Sequence, residues 1–258
     1  MPWVLLSALL AVAPSVPEGD AQAYTSLFDA RTGAVIADGR YAQWVKDDVL
    51  HIDARYDFPD GRTVVEQAAI RLHPRLTQES WDWTEKKGDR LIREYQVDFR
   101  TRKAIATRVD QQKRWKEDLD DIEPGKTFAG IAFVTVIKAL RDDLGPGKEA
   151  DLKVVAFTPK PRVAPVNVIR HGEEKVRMAG RSIPADHYTI HPDIPGIVKL
   201  FVHAPDSEVW LFGSGPAAFL RFQGAFAEPD DEVIRVDVIP APSPRAQGRA
   251  APPPRREQ

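Results

Sequence analysis

The chain has 258 residues, 43% hydrophobic and 29% charged, with a formal net charge of −2 at pH 7. These are the proportions of a globular protein with one large domain or two small ones, and the slightly acidic balance excludes the basic footprint of a nucleic-acid-binding surface. There is no cysteine, which excludes disulfides, thiolate metal ligands, a thiol nucleophile and a lipidated cysteine.

Trp3 to Val12 is an apolar run broken by Pro14 and Pro17, and Ala21-Gln22-Ala23 supplies a small-x-small cleavage pattern before Tyr24. This predicts a signal peptide over 1–23 and a periplasmic or otherwise secreted chain; an n-region without Lys or Arg leaves an uncleaved anchor as the alternative. The run is about half of what a bilayer crossing needs, so no transmembrane span is expected in the mature chain.

From Tyr24 onward, short segments of period-two alternation are separated by turns. Leu50, Ile52, Ala54, Tyr56 and Phe58 share one face and His51, Asp53, Arg55 and Asp57 the other, up to the Pro59-Asp60-Gly61 turn. Val64, Ala68, Ile70 and Leu72 then face one way, Trp81 and Trp83 share a face, and Leu91, Tyr95, Val97 and Phe99 alternate again before Lys103 to Val109. Such short connections require antiparallel neighbours, hence a meander. The charged stretch Gln111 to Glu123 reads as a loop or short exposed helix.

Phe128 to Leu140 is the one segment with helical periodicity. Gly130, Phe133, Val134, Ile137, Leu140 and Leu144 form one apolar face, and Phe128, Ile131, Ala132 and Ala139 make the other side apolar too. A helix over about 127–142 is expected, capped by Thr127, stopped by Gly145-Pro146-Gly147 and buried on most sides, with Thr135, Lys138 and Asp142 as a narrow strip toward solvent. Strands resume at Leu152–Thr158, Val163–His171, Lys175–Met178, His187–Ile190, Val198–Ala204, Val209–Phe212, Phe219–Phe222 and Val233–Ile239, for 13 or 14 in all. Pro165 suggests an edge. The fold expected is mainly β: an antiparallel meander over 24–239, curved into a half-barrel or barrel-like sheet around one buried central helix. The Pro- and Arg-rich tail 240–258 lacks large apolar residues and is expected to be disordered.

No catalytic or cofactor motif survives inspection. His187 and His191 lie four apart on a strand, about 13 Å at roughly 3.3 Å per residue, too far for one ion, and are expected to look outward. Gly213-Ser214-Gly215 lacks the outer glycines of a nucleophile elbow and is followed by Pro216. Gly147-Lys148 continues into Glu149 where a phosphate loop needs Ser or Thr. No metal and no cofactor are expected. Trp81, Trp83 and Trp210 are the candidate ligand-lining residues, the alternative for each being ordinary core.

In layout, and in the loose pattern Val176-Arg177-Met178-Ala179-Gly180-Arg181, His187-Tyr188-Thr189-Ile190-His191-Pro192, Glu208-Val209-Trp210-Leu211 and Phe219-Leu220-Arg221-Phe222, the chain resembles uncharacterised envelope β-meander proteins of Gram-negative bacteria, catalogued as domains of unknown function. More distantly it is similar to the half-barrels of the Lol lipoprotein carriers, where a curved sheet closes over helices around an apolar cavity; it departs from them in having one helix and more strands. The resemblance implies a non-enzymatic envelope protein that holds a lipid or other apolar ligand. A structural or protein-interaction module of the envelope is the alternative, and a hydrolase using His187 or Ser214 is the third reading.

Overall fold

The computed structural model describes residues 18–178, 180–193, 205–213 and 218–240. The first half of the chain forms β1 (Ala21–Asp29), β2 (Val35–Lys46), β3 (Val49–Asp57), β4 (Arg62–Arg71), β5 (Thr77–Lys87), β6 (Arg90–Asp98), β7 (Lys103–Arg108) and β8 (Lys113–Asp118). After β9 (Thr127–Phe128) and α1 (Ala132–Leu140) come β10 (Glu149–Phe157), β11 (Pro161–Met178), β12 (Arg181–Pro192), β13 (Ser207–Phe212), β14 (Phe219–Ala225) and β15 (Val233–Pro240).

All fifteen strands belong to one sheet, in the order β8 down to β1, then β15 down to β9. Two meanders are thus joined edge to edge through β1 and β15, which pair antiparallel from Ala23–Pro240 to Asp29–Ile234. Every ladder is antiparallel except β9 with β10. The sheet is curled: β11 touches β7 and β8, and β9 touches β5, although these strands lie far apart in the ladder order. Phe157 of β10 packs at 4.7 Å from Tyr95 and 5.5 Å from Trp81, closing the two halves over one apolar interior.

Alternation sets which residues enter that interior. In β3, Leu50, Ile52, Ala54 and Tyr56 are buried while His51, Asp53 and Arg55 reach outward, as the sequence pattern requires. Gly61, at φ +82°, allows the tight turn that returns β4 beside it. The main core draws on both meanders and on α1.

Several expected elements are redrawn. The stretch read as a loop or short helix contains β8, whose side chains alternate between exposed and half-buried. An edge strand rich in Lys, Arg, Glu and Asp gains its ladder with β7 without an apolar face, which is why periodicity missed it; those charges also discourage further edge pairing. Val163–His171 and Lys175–Met178 form one strand, β11, with a bulge between Arg170 and Gly172, the glycine at φ +101°. Past the bulge, Val176 and Met178 leave the main core and join a second apolar cluster with Ala185 and Leu220. Pro165 does not mark an edge: β11 lies between β10 and β12, Pro165 pairs with Lys153 of β10, and its carbonyl accepts from the Asp193 amide at 3.1 Å. The strand expected over 198–204 lies outside the described residues, as does the expected tail 240–258 apart from Pro240, which ends β15 paired with Ala23.

The helix is shorter than expected and starts later. Thr127 is no cap: it pairs with Lys153 in the two-residue β9, and its Oγ1 accepts from the Glu123 amide at 2.9 Å. Gly130, at φ +53°, is incompatible with a helix running through it, so α1 begins at Ala132. All nine of its residues are buried, Thr135 and Lys138 included. Of the expected solvent strip only Asp142, beyond the end of the helix, is exposed. Lys138 instead forms an ion pair at 2.6 Å with Glu18, whose carboxylate also accepts from Gln43 at 3.0 Å.

Ala21, Gln22 and Ala23 are the first residues of β1, in register with Gln43, Ala42 and Tyr41. The expected domain boundary at 23 thus falls inside a strand, while the apolar run before residue 18 lies outside the described residues.

Candidate functional site

Between the two meanders and the start of α1 lies a cavity of about 460 Å³. Its walls are mostly apolar: Leu27, Trp81 and Trp83 from the first meander, Phe157 and Phe222 from the second, and Phe133 from the helix. That volume is within the range, about 300–1,000 Å³, of pockets that hold small molecules.

One wall carries a carboxyl group. Along β4 the inward phase runs Val64, Glu66, Ala68, Ile70, so Glu66 occupies a position that the alternation assigns to the interior. Across the β4–β5 ladder it stands opposite Trp83, with Trp81 one inward position further along β5. Trp81 Nε1 donates to Glu66 Oε1 at 2.8 Å, and the backbone amide of Ile131, just before α1, donates to the same oxygen at 2.8 Å. No cation pairs with the group among the described residues, and Oε2 accepts no hydrogen bond from them. Burial therefore pushes the Glu66 carboxyl above its ordinary value of 4.5, although the two donors pull the other way.

The backbone was shaped around this contact. A Cβ on Gly130 would overlap both Trp81 Nε1 and Glu66 Oε1, and the residue's φ is positive as well. Only glycine lets the chain pass so close to the pair. Just before it, Gln78 fixes the chain by donating to the Ala129 carbonyl at 3.2 Å and accepting from the Ala129 amide at 2.7 Å.

The β14–β15 connection closes another side. Phe226 meets Trp83 edge-on at 5.7 Å. Arg93, itself paired with Glu85 at 2.8 Å, holds Asp231 at 2.8 Å. Arg108 holds Glu228 at 2.8 Å, and Tyr95 donates its hydroxyl to the same carboxylate. These bonds cross from the first meander to the last connection of the second, and they fix a segment whose Phe226, Ala227, Glu228 and Pro229 line the cavity.

Of the three tryptophans expected to line a ligand site, Trp81 and Trp83 are brought together at the cavity. Trp210 is elsewhere. It packs on the second apolar cluster, lies parallel to His187 at 4.7 Å, and donates Nε1 to Glu174. Period-two alternation within β13 already separates it: Val209 and Leu211 enter the main core and Trp210, between them, takes the opposite face.

His187 is half-buried and bonded to Glu208 at 2.7 Å, while the more exposed His191 is bonded to Asp206 at 2.7 Å. Burial alone would raise the Glu208 carboxyl, but hydrogen bonds from His187 and Thr189 outweigh it and hold the group below its ordinary value. No metal-ligating group of side chains occurs among the described residues, and Ser214 lies outside them.

No protein-family model matches the sequence, and no curated protein matches it. Two solved structures are similar to it. A beta-barrel-like protein of a domain of unknown function, DUF1849, from Brucella abortus is 10% identical with a TM-score of 0.47, over 88% of this chain and 100% of that one. The hypothetical lipoprotein YmcC from Escherichia coli (K12) is 9% identical with a TM-score of 0.38, over 89% of each chain. Both come from Gram-negative bacteria and are uncharacterised.

Proposed function

We propose that this is a non-enzymatic binding protein of the cell envelope that holds an apolar small molecule or lipid between its curled sheet and α1. The observation that carries this reading is the apolar cavity itself, walled by Trp81, Trp83, Phe133 and Phe157. A core that served only stability would gain from closing such a space, because unfilled volume forfeits dispersion contacts on every side. The apolar run at Trp3–Val12 supports the envelope setting. The alternative is a structural or interaction module of the envelope that meets a partner through its sheet surface or through the Arg- and Pro-rich tail, the tail lying outside the described residues.

Native mass spectrometry of protein purified from a lysate that contains membranes tests the reading. The expected result is a mass above that of the bare chain, with an apolar compound recovered by solvent extraction of the same sample. A bare mass in repeated preparations contradicts it.

A further inference from the structure

The Glu66 carboxyl narrows the class of ligand, an inference that rests on the cavity-binding reading above. Both acceptor directions of Oε1 are taken, by the Trp81 indole and the Ile131 amide. A proton on this carboxyl therefore sits on Oε2, where it makes the group a hydrogen-bond donor at the cavity wall. A hydrocarbon filling the cavity would bury that O–H without a partner, at a cost. A cationic ligand would need the group ionised, yet among the described residues an ionised Glu66 finds no cation and only the two N–H donors on Oε1, and desolvation outweighs these in favour of the neutral acid. A carbonyl oxygen answers the donor without requiring any charge.

We propose that Glu66 is the polar anchor of the cavity, donating from Oε2 to a carbonyl oxygen, so that the ligand is an acylated apolar molecule, an ester, amide or carboxylic acid. Tyr56 on the neighbouring strand lines the same cavity, and burial raises its phenol further above the physiological range, so it stays neutral beside Glu66. The other titratable or charged groups on the wall are Arg162, Asp193 and Glu228. Glu228 is engaged by Arg108 and Tyr95.

A matched pair of probes tests this with the full chain. Monopalmitoylglycerol carries an ester carbonyl, and hexadecylglycerol ether has nearly the same shape and apolar surface without one. Each is titrated as a competitor against the neutral fluorophore N-phenyl-naphthylamine. The expected result is that the native protein binds the ester about tenfold more tightly than the ether, the worth of one well-placed hydrogen bond in an apolar site. That preference should fade as pH rises through the ionisation of Glu66. Glu66→Gln, whose amide oxygen can accept from Trp81 and Ile131 while its NH₂ donates into the cavity, should keep the preference and lose its pH dependence. Glu66→Met should bring the ratio near one.

Equal affinities for ester and ether in the native protein would overturn the anchor and leave the cavity reading standing. Ester binding that strengthens with rising pH would overturn it as well. Failure of both probes to displace the fluorophore would overturn the cavity reading and the anchor with it. The native ratio and its pH course decide the matter even if Glu66→Met does not fold.

Discussion

Two ionisable side chains, buried Lys138 and half-buried Glu66, pack near the ends of α1, and the protein treats them in opposite ways. Lys138, 7% exposed, meets the Glu18 carboxylate, which takes a further bond from Gln43, itself bonded to the Tyr41 hydroxyl at 2.7 Å. Glu66, near the other end of the helix, receives two neutral donors on one oxygen and no cation, and it faces a cavity. The first arrangement completes itself: charge is balanced and the carboxylate is bonded on both oxygens. The second is incomplete within the described residues. A buried group with its partners in place stabilises one packing, whereas a buried group left half-bonded at a cavity wall is what a ligand can complete.

Breaking the completed pair should have the largest effect. Lys138→Ala strands the Glu18 carboxylate in a dry site, and the loss of one partner from a buried pair costs about 3–5 kcal/mol. Against a domain stability of about 5–15 kcal/mol, that is a steep fall in melting temperature or a loss of soluble protein. Glu18→Ala, or a chain begun at Tyr24, should fall comparably, since either strands the ammonium of Lys138. Thermal melts of the three against the native chain check this, and a native-like melt for all three would show that the pair contributes nothing.

Changing the incomplete group should have a small effect, of the opposite sign and set by pH. Glu66 has a folded value above its unfolded one, so the native state holds this proton more tightly. The penalty on the native fold is absent below the ordinary glutamate value of 4.5, grows as pH rises from there to the folded value, and is full above it. Glu66→Gln keeps the acceptor for Trp81 and Ile131 and cannot ionise. It should therefore melt close to the native protein in acid and up to a few degrees higher at neutral pH. A gap that is constant with pH, or largest in acid, would break the contrast between the two sites.

How much of this was legible in the sequence differs between the same two regions. Strands whose inward residues are strictly apolar, such as Leu50–Tyr56, declared themselves, and so did the buried character of the helix. Strands without an apolar face did not: β8 is held by its ladder and by pairs such as Lys160–Glu117, neither of which leaves a periodic trace. Lys138 looked like the solvent edge of the helix because its partner comes from 120 residues away. Glu66 left a signal that reading for apolar residues passed over: a lone carboxylate in the inward phase of Val64, Ala68, Ile70 and Leu72. A charge at such a position needs a partner, and here the partner on the protein side is only two N–H groups. Gly130 read as part of a helical face, and its necessity emerges only from what stands against it, the Trp81–Glu66 bond.

The ionisation state of one carboxyl group, that of Glu66, separates the two sites and can be observed directly. Glutamate labelled with carbon-13 at the side-chain carboxyl, assigned by comparison with Glu66→Gln, reports the Glu66 titration by NMR. The result expected is a midpoint above the ordinary glutamate value in the free protein, moving higher still when monopalmitoylglycerol is bound, because a carbonyl acceptor binds the protonated form. A midpoint at or below the ordinary value, unmoved by the ester, would contradict the account.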